Sequence, residues 1–505
     1  MCVERSRPHG QVAAVLGVIR ALDLERLLSR EPSRERDLIV AMICQLLIAP
    51  GSKLSFTRRF SQSTLAEELE LGEVTEADLM AALDWLLARQ TRIEKAPAAR
   101  HLKKEGFALY DLSSSYFEGR PCPLAARGYP RDGKKGRPQV NWGLLCSVEG
   151  RPVSVQVHPG NTADPATLPA AIGALEARFG LREVVLVGDR AMITETHAHS
   201  LKKRGAGFVS ALKSAQIRTL VRSGYLQLSL FDETNPAEIS SPDFPGEHLV
   251  VCRHPAMAAE RARKREDLLL ATEEELAKVK RMVEEPRGRL RRAGAGPIGE
   301  RVGRVVNRYK MAKHFTLAIA DGAFSYGRKE EEIAAEAALD GIYVLRTTRP
   351  AGELGPQAVV RVYKQLKMAE RAYRTIKDAL EVRPIRHHLE DRVRAHFFLF
   401  MLAYYVLFEL RERLTPLLFA DEFPQAPVDP VAPASRSTDA RTKAGRARTA
   451  DGLPAMSLPD LFAELGTLCR NELRIGTSGH TLLRLTAPNP IQAKAFELLG
   501  IKLAA

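Results

Sequence analysis

Three acids in this chain, Asp111, Asp189 and Glu370, are candidates for holding hard divalent cations. Cutting a phosphodiester by in-line attack needs charge neutralised on both the attacking and the leaving oxygen. Two divalent ions about 3.5–4 Å apart do this. Magnesium takes oxygen ligands, and converging carboxylates bind such ions and offset their charge. Without a cation the same acids repel one another, and at least one pKa rises. Each acid also has an ordinary reading. Asp189 ends the apolar run at 184–187. An Asp there serves equally as a cap or turn residue, although ligands of open sheets gather beyond the carboxyl ends of strands. Asp111 lies inside Tyr110-Asp111-Leu112-Ser113-Ser114, a strand pattern, and strands disfavour Asp. Glu370 alone carries no signal, because Glu is a good helix former on a charged surface.

Tyr363, Glu370 and Lys377 are spaced seven apart, nearly two helical turns each, and so share one face. That face presents a phenol, a carboxylate and a cation. An amphipathic helix with an accidental stripe has the same spacing. Lys367 and Arg374 lie close by, and Arg190 directly follows Asp189.

The elements that must position these residues follow from periodicity. Residues 107–117, 140–148 and 152–158 read as three consecutive strands separated by glycine-containing turns. Residues 164–179 read as a helix with Asp164, before Pro165, as its N-cap. Next come a strand at 183–188, apolar enough to be buried on both faces, a helix at 194–204 and a strand at 207–212. This is the element order of the RNase H-like fold, although other α/β folds share parts of it. Further strands are expected at 249–252, 315–320 and 341–346, with a long charged helix at 257–283. One helix is expected over 360–380, and a very apolar, buried one over 387–413. Residues 1–100 read as helical, with helices at 37–48, 63–71 and 76–90. A basic segment holding Lys53, Arg58 and Arg59 lies between them, which suits a helix-turn-helix-like unit or a small bundle.

The expected fold class is α/β: an RNase H-like mixed-sheet core interrupted by an inserted domain, with a helical N-terminal region. The expected divisions are a DNA-binding region at 1–100, a first core part at 101–212, an insert at 213–340 and a second core part with the third acid at 341–415. A flexible linker at 416–455, poor in large apolar residues, and a small C-terminal tail at 456–505 complete the chain.

A formal net charge of +14 favours polyanionic partners, with nucleic acid ahead of an anionic membrane surface. The six cysteines form no CxxC pair, which points to free thiols in a reducing cytosol. The longest apolar run, 397–408, has 12 residues where a membrane span needs about 20. The stretch 11–22 is interrupted by Arg20 and lacks a cleavage-site pattern, so no signal peptide is expected. The expectation is a cytoplasmic protein without a membrane partner.

Other motifs are less specific. The basic loop at 134–138 suits a minor groove or a surface hairpin, and the basic run at 287–292 suits phosphate or solvent. His387, His388 and His396 read as helix residues, not ligands. Ser113–115 has no histidine partner that sequence can place, and no Walker A loop supports ATP-driven chemistry.

The chain resembles the bacterial insertion-sequence transposases of the DDE type, whose third acid lies in a Tyr-x₂-Arg-x₃-Glu-x₆-Lys signature. Tyr363, Glu370 and Lys377 match that spacing, while Leu366 stands at the Arg position. The segments DLSSSYFEG from Asp111 and VVLVGDRAM around Asp189 resemble the first- and second-acid regions, and 383–406 resembles the helix after the third acid. The resemblance implies that Asp111, Asp189 and Glu370 are catalytic and bind two Mg²⁺ or Mn²⁺ ions. It implies that Tyr363, Lys377, Arg190, Arg374 and Lys367 contact DNA. It further implies cleavage of double-stranded DNA at element ends, strand transfer into target DNA, a homodimer on DNA, and a bacterial, nucleoid-associated setting. A decayed or repurposed DNA-binding protein, or a metal-dependent nuclease without strand transfer, are the alternatives; Leu366 permits the first, since Leu cannot make the bidentate phosphate contacts of Arg.

Overall fold

The computed structural model describes residues 2–103, 106–181, 183–227, 236–285, 294–419, 442, 445–475 and 480–503. The basic run at 287–292 and most of the expected linker lie outside them. The chain divides into two compact units, Met1–Ser210 with Arg361–Ala505, and Ala211–Val360.

The first unit opens with a strand, β1 (Cys2–Pro8), where a helix-only region was expected. Its partner lies at the other end of the chain, so no local pattern announces it. Helices Gly10–Ala21, Arg34–Ile48 and Glu76–Leu87 follow, the last closed by a capping box between Thr75 and Asp78. Lys53, Arg58 and Arg59 are part of a helix, Lys53–Arg59, and not of a connecting segment. The helix expected at 63–71 shrinks to Leu65–Glu68.

The central strands are β2 (Phe107–Tyr116), β3 (Gln139–Cys146), β4 (Pro152–Pro159), β5 (Val185–Val187) and β6 (Phe208–Ala211). They lie in the order β4-β3-β2-β5-β6. β2, β3 and β4 pair antiparallel, and β5 runs parallel to β2 and β6. With helices Asp164–Gly173 and Glu195–Lys203 in the crossovers, this is an RNase H-like mixed α/β sheet. Asp164 does not cap its helix. Ala163 holds that position, and the Asp164 carboxylate is taken by Arg131.

β3 is buried along its whole length because both faces of the sheet are covered. One cover is the helix Glu390–Leu414, which packs on β4 and on helices Arg34–Ile48 and Glu76–Leu87. Continued by the turn Thr415–Leu417, it is long and apolar enough to cross a membrane, contrary to the count of consecutive apolar residues. Here it is a core helix: Phe397, Phe398, Leu399 and Phe400 are all buried within the unit. It starts at Glu390, so His387 and His388 precede it.

The single helix expected over 360–380 is three segments: Pro356–Lys364, Leu366–Arg374 and a wide π-helical turn, Thr375–Ala379.

In the second unit, β7 (Ala237–Ile239), β8 (His248–Arg253), the hairpin of β9 (Phe315–Ala320) with β10 (Ala323–Arg328), and β11 (Ile342–Thr347) frame two long helices, Pro255–Glu284 and Ala295–Tyr309. β8 pairs antiparallel with β7 and β11. Leu269, Leu276, Val302 and Phe315 form one core there, and Leu249, Val251 and Val344 belong to another. Arg346 and Glu247 form a buried ion pair at 2.6 Å.

The C-terminal residues return to the first unit. β12 (Cys469–Ile475) pairs with β1 on one side and with β13 (His480–Leu485) on the other. Helix Pro490–Leu499 then packs on helices Gly10–Ala21 and Glu390–Leu414.

Candidate active site

Strand register brings the two aspartates level. Leu109 of β2 stands opposite Val187 of β5 in a parallel pair. Asp111 and Asp189 each follow two residues later. Neighbouring strands are about 4.8 Å apart, so the two acids meet where β5 ends and β2 continues. Asp189 Oδ1 accepts hydrogen bonds from the Ala191 and Met192 amides at 2.8 and 2.9 Å. Asp111 Oδ1 accepts one from the Leu112 amide at 2.8 Å. The main chain thus holds one oxygen of each carboxylate, and Oδ2 of each makes no hydrogen bond among the described residues.

The third acid arrives on the helix Leu366–Arg374, which packs on β2 and β3. Its buried residues, Ala369, Ala372 and Tyr373, include two small ones that permit close approach. Gly150, in the β3–β4 turn, has φ +93°, and a Cβ there would come within 2.9 Å of Met368 Cβ. The helix sits this low because that position is glycine. The Tyr373 hydroxyl donates to the Asp111 main-chain carbonyl and accepts from the Leu144 amide at 2.8 Å. Glu370, nearly one turn earlier, is exposed and makes no ion pair or hydrogen bond among the described residues.

The charges of Asp189 and Glu370 act on Asp111. Burial, reinforced by the charges of Asp189 and Glu370, lifts the Asp111 carboxyl to about 7; the Leu112 amide and Arg131 oppose this. Burial pushes the Tyr363 phenol up to about 12. Asp189, Glu370 and Asp111 add to that shift, and Arg190 opposes it. Tyr363 and Arg190 therefore share the neighbourhood of the acids.

Among the described residues, no group of three His, Cys, Asp or Glu side chains is placed to hold a metal ion. The three acids are electrostatic neighbours and not a formed cage. Their chemistry nevertheless fits a hard divalent cation: the donors are all oxygen, none is neutralised by a lysine or arginine in direct contact, and their mutual repulsion is what a cation relieves.

Lys377 departs from expectation. It lies in the π-helical turn and donates to Asp132 Oδ1 at 2.7 Å, with the two side chains 10% and 3% exposed. Burial lowers its pKa, and Asp132 opposes that. Arg383 donates to the same Asp132 oxygen, and the Tyr116 amide donates to Oδ2 at 3.0 Å. Lys377 is therefore committed inside the protein and not presented to solvent as a phosphate contact. Asp132 had no sequence signal, since it sits in a Gly- and Lys-rich loop between β2 and β3. Lys367, Arg374 and Arg190 are exposed, and Leu366, half-buried, opens its helix.

Of the three histidines His396 is buried, His387 half-buried and His388 exposed. His396 Nε2 donates to the Val382 carbonyl at 3.0 Å, and its Nδ1 faces Lys53 Nζ at 3.1 Å. The His387 ring packs on that of His396.

An RNase H-like sheet with acids gathered on its central strands β2 and β5 suits an enzyme that cuts nucleic acid. The chain belongs to the transposase DDE domain family, whose model matches residues 113–406, more than half of its length. The match includes Asp189 and Glu370 and begins two residues after Asp111. No curated protein matches the sequence significantly. Among solved structures the chain is similar to piggyBac transposase in a synaptic complex with hairpin DNA, at 10% identity and a TM-score of 0.27, over 87% of each chain.

Proposed function

We propose that this chain is the transposase of a bacterial insertion sequence. It cuts DNA at the element ends and joins the freed 3′-hydroxyl to target DNA. The observation that carries this reading is the level placement of Asp111 and Asp189 on parallel strands, with Glu370 close enough to raise Asp111. Asp111, Asp189 and Glu370 would hold two Mg²⁺ or Mn²⁺ ions, which neutralise charge on the attacking and leaving oxygens. Arg190, Lys367 and Arg374 supply cations to the DNA backbone, and Tyr363 lines the acids' neighbourhood. Lys377 acts through Asp132, holding the π-helical turn that follows the third acid. Two element ends are brought together by a homodimer on DNA in the bacterial cytoplasm. Exposed Arg58 and Arg59 are candidates for end recognition. Deleting the whole N-terminal region would uncover the core helix Glu390–Leu414, so Arg58→Ala with Arg59→Ala is the cleaner test.

The deciding experiment compares the wild type with Glu370→Gln on DNA carrying the element's own ends. Mg²⁺-dependent cleavage and joined products in the wild type, lost in Glu370→Gln with DNA binding retained, support the assignment. Cuts without joined products indicate a nuclease. A wild type that binds and never cuts indicates a decayed transposase, with Leu366 the leading cause. Equal cleavage by both proteins means the third acid lies elsewhere, with Glu381 or Glu390 next in line.

A further inference from the structure

We infer that the unit Ala211–Val360 carries a phosphodiester-binding cleft of its own, built from residues that take no part in the acid site. It deepens the reading above, since its ligand is the DNA backbone. The cleft is a concavity of about 630 Å³. Three separate segments supply its cations. Arg218 and Arg222 come from the helix Ser214–Arg222, and Arg261 and Lys264 from the helix Pro255–Glu284. Lys310 follows the helix Ala295–Tyr309, with a left-handed φ of +57°. None of these five side chains forms an ion pair or hydrogen bond among the described residues.

The remaining lining charges are largely spent on each other. Arg265 pairs with Asp340, and Lys313 with Glu336. That leaves Glu332 against five uncommitted cations. A solvated basic face spreads its charges. Here the fold collects them in one concavity against apolar Ile217 and Leu339, where low-dielectric walls concentrate the field.

One lining side chain is uncharged and lies behind the wall. His314 lines the cleft with a side chain 2% exposed. Neither ring nitrogen makes a hydrogen bond, although Glu336 Oε2 lies 3.3 Å from Nε2. Buried polar groups are rarely left so. Both nitrogens are closed off from solvent, so the ring packs behind the cleft wall beside Glu336 and does not itself reach a phosphate.

The test uses the full chain and a labelled DNA duplex, with affinity measured across about 50–200 mM salt. Each lost phosphate contact flattens the plot of log affinity against log salt by about 0.9. Arg222→Ala/Arg261→Ala/Lys264→Ala is therefore expected to flatten it by about 2.7, whatever the duplex sequence. Arg263→Ala/Lys280→Ala/Arg304→Ala removes as much charge from outside the cleft and should leave the slope near that of the wild type. Circular dichroism checks that the cleft variant is folded, and Arg222→Lys/Arg261→Lys should retain the wild-type slope if charge is what matters. Equal effects of the two triple variants, or none from the cleft variant while the wild type binds DNA, overturn the cleft and leave the proposed function intact. A wild type that does not bind DNA overturns both. Pyrophosphate is the second arm: if it displaces duplex from the wild type as readily as from the cleft variant, the DNA assignment stands. Selective displacement from the wild type at micromolar concentration overturns it in favour of a small polyanion.

Discussion

The Tyr373 hydroxyl donates to the main-chain carbonyl of Asp111 and so ties the helix of the third acid to the strand of the first. Because it also accepts from the Leu144 amide, one side chain fixes the helix over both β2 and β3. Tyr373→Phe keeps the ring against Trp142, whose centroid is 4.6 Å away, and removes only the hydroxyl. The stranded buried groups should cost about 1–3 kcal/mol in urea denaturation. Cleavage should fall further than duplex affinity. A Phe variant that cuts at the wild-type rate would show that Glu370 is placed by other contacts.

Asp132 is the hub of a buried charge cluster, 3% exposed, with Lys377 and Arg383 on one oxygen. Asp132→Asn keeps the size and leaves two cations facing each other. Loss of one partner of a buried pair costs about 3–5 kcal/mol. Pairing it with Lys377→Met should restore part of that loss. Strict additivity of the two single changes would mean that they are not coupled.

Acid should destabilise the fold below pH 6.5. Burial lowers His158 to about 4, His387 to about 3 and His396 well below its ordinary range. Between those values and 6.5 the unfolded chain binds protons that the folded chain refuses. Stability is thus present above 6.5 and lost as pH falls, by up to about 1.4 kcal/mol per pH unit for each histidine. Asp111 works in the opposite sense. Its raised carboxyl keeps a proton in the folded state, so its contribution declines as pH rises from the usual carboxylate range to about 7. Glu94, raised by burial, acts like Asp111, while His9, His101 and His314 are lowered as well, so the histidines outnumber the raised carboxyls. Urea midpoints between pH 4.5 and 6.5 should fall with acid, and His387→Gln should flatten that dependence by about one proton. An unchanged slope would mean that His387 protonates freely in the folded protein.

Divalent cations should stabilise the wild type at pH 8, above the raised Asp111 carboxyl. At a hundredfold excess over the dissociation constant the gain is about 2.7 kcal/mol. Mg²⁺ or Mn²⁺ should raise the thermal midpoint, EDTA should reverse it, and Asp189→Asn should abolish the response. An equal rise in that variant would place the cation elsewhere.

Much of this geometry was legible in the sequence. Alternation and apolar runs mark β2 to β6, and a parallel register then sets Asp111 beside Asp189. Glu370 was named as third acid because its spacing from Tyr363 and Lys377 resembles the transposase signature, not from the spacing alone. That same spacing misled for Lys377, because regular helix gives way to a π-helical turn at Thr375 and the lysine turns inward. Its partner, Asp132, lies 245 positions away, and an ion pair across that distance leaves no local pattern. The cleft of the second unit is hidden for the same reason: its cations are drawn from three segments that only the fold assembles.

The pairing of β1 with β12 also sets a timetable for synthesis. β1 leaves the ribosome before β12, and at about 5–20 residues per second its partner is made about 470 residues, or roughly 25 to 95 seconds, later. Throughout that interval the first strand has a free edge, open to strands of other nascent chains. Crowding of ribosomes on one message should therefore favour entangled chains, and slowing initiation should raise the soluble yield without altering a single contact of the finished protein.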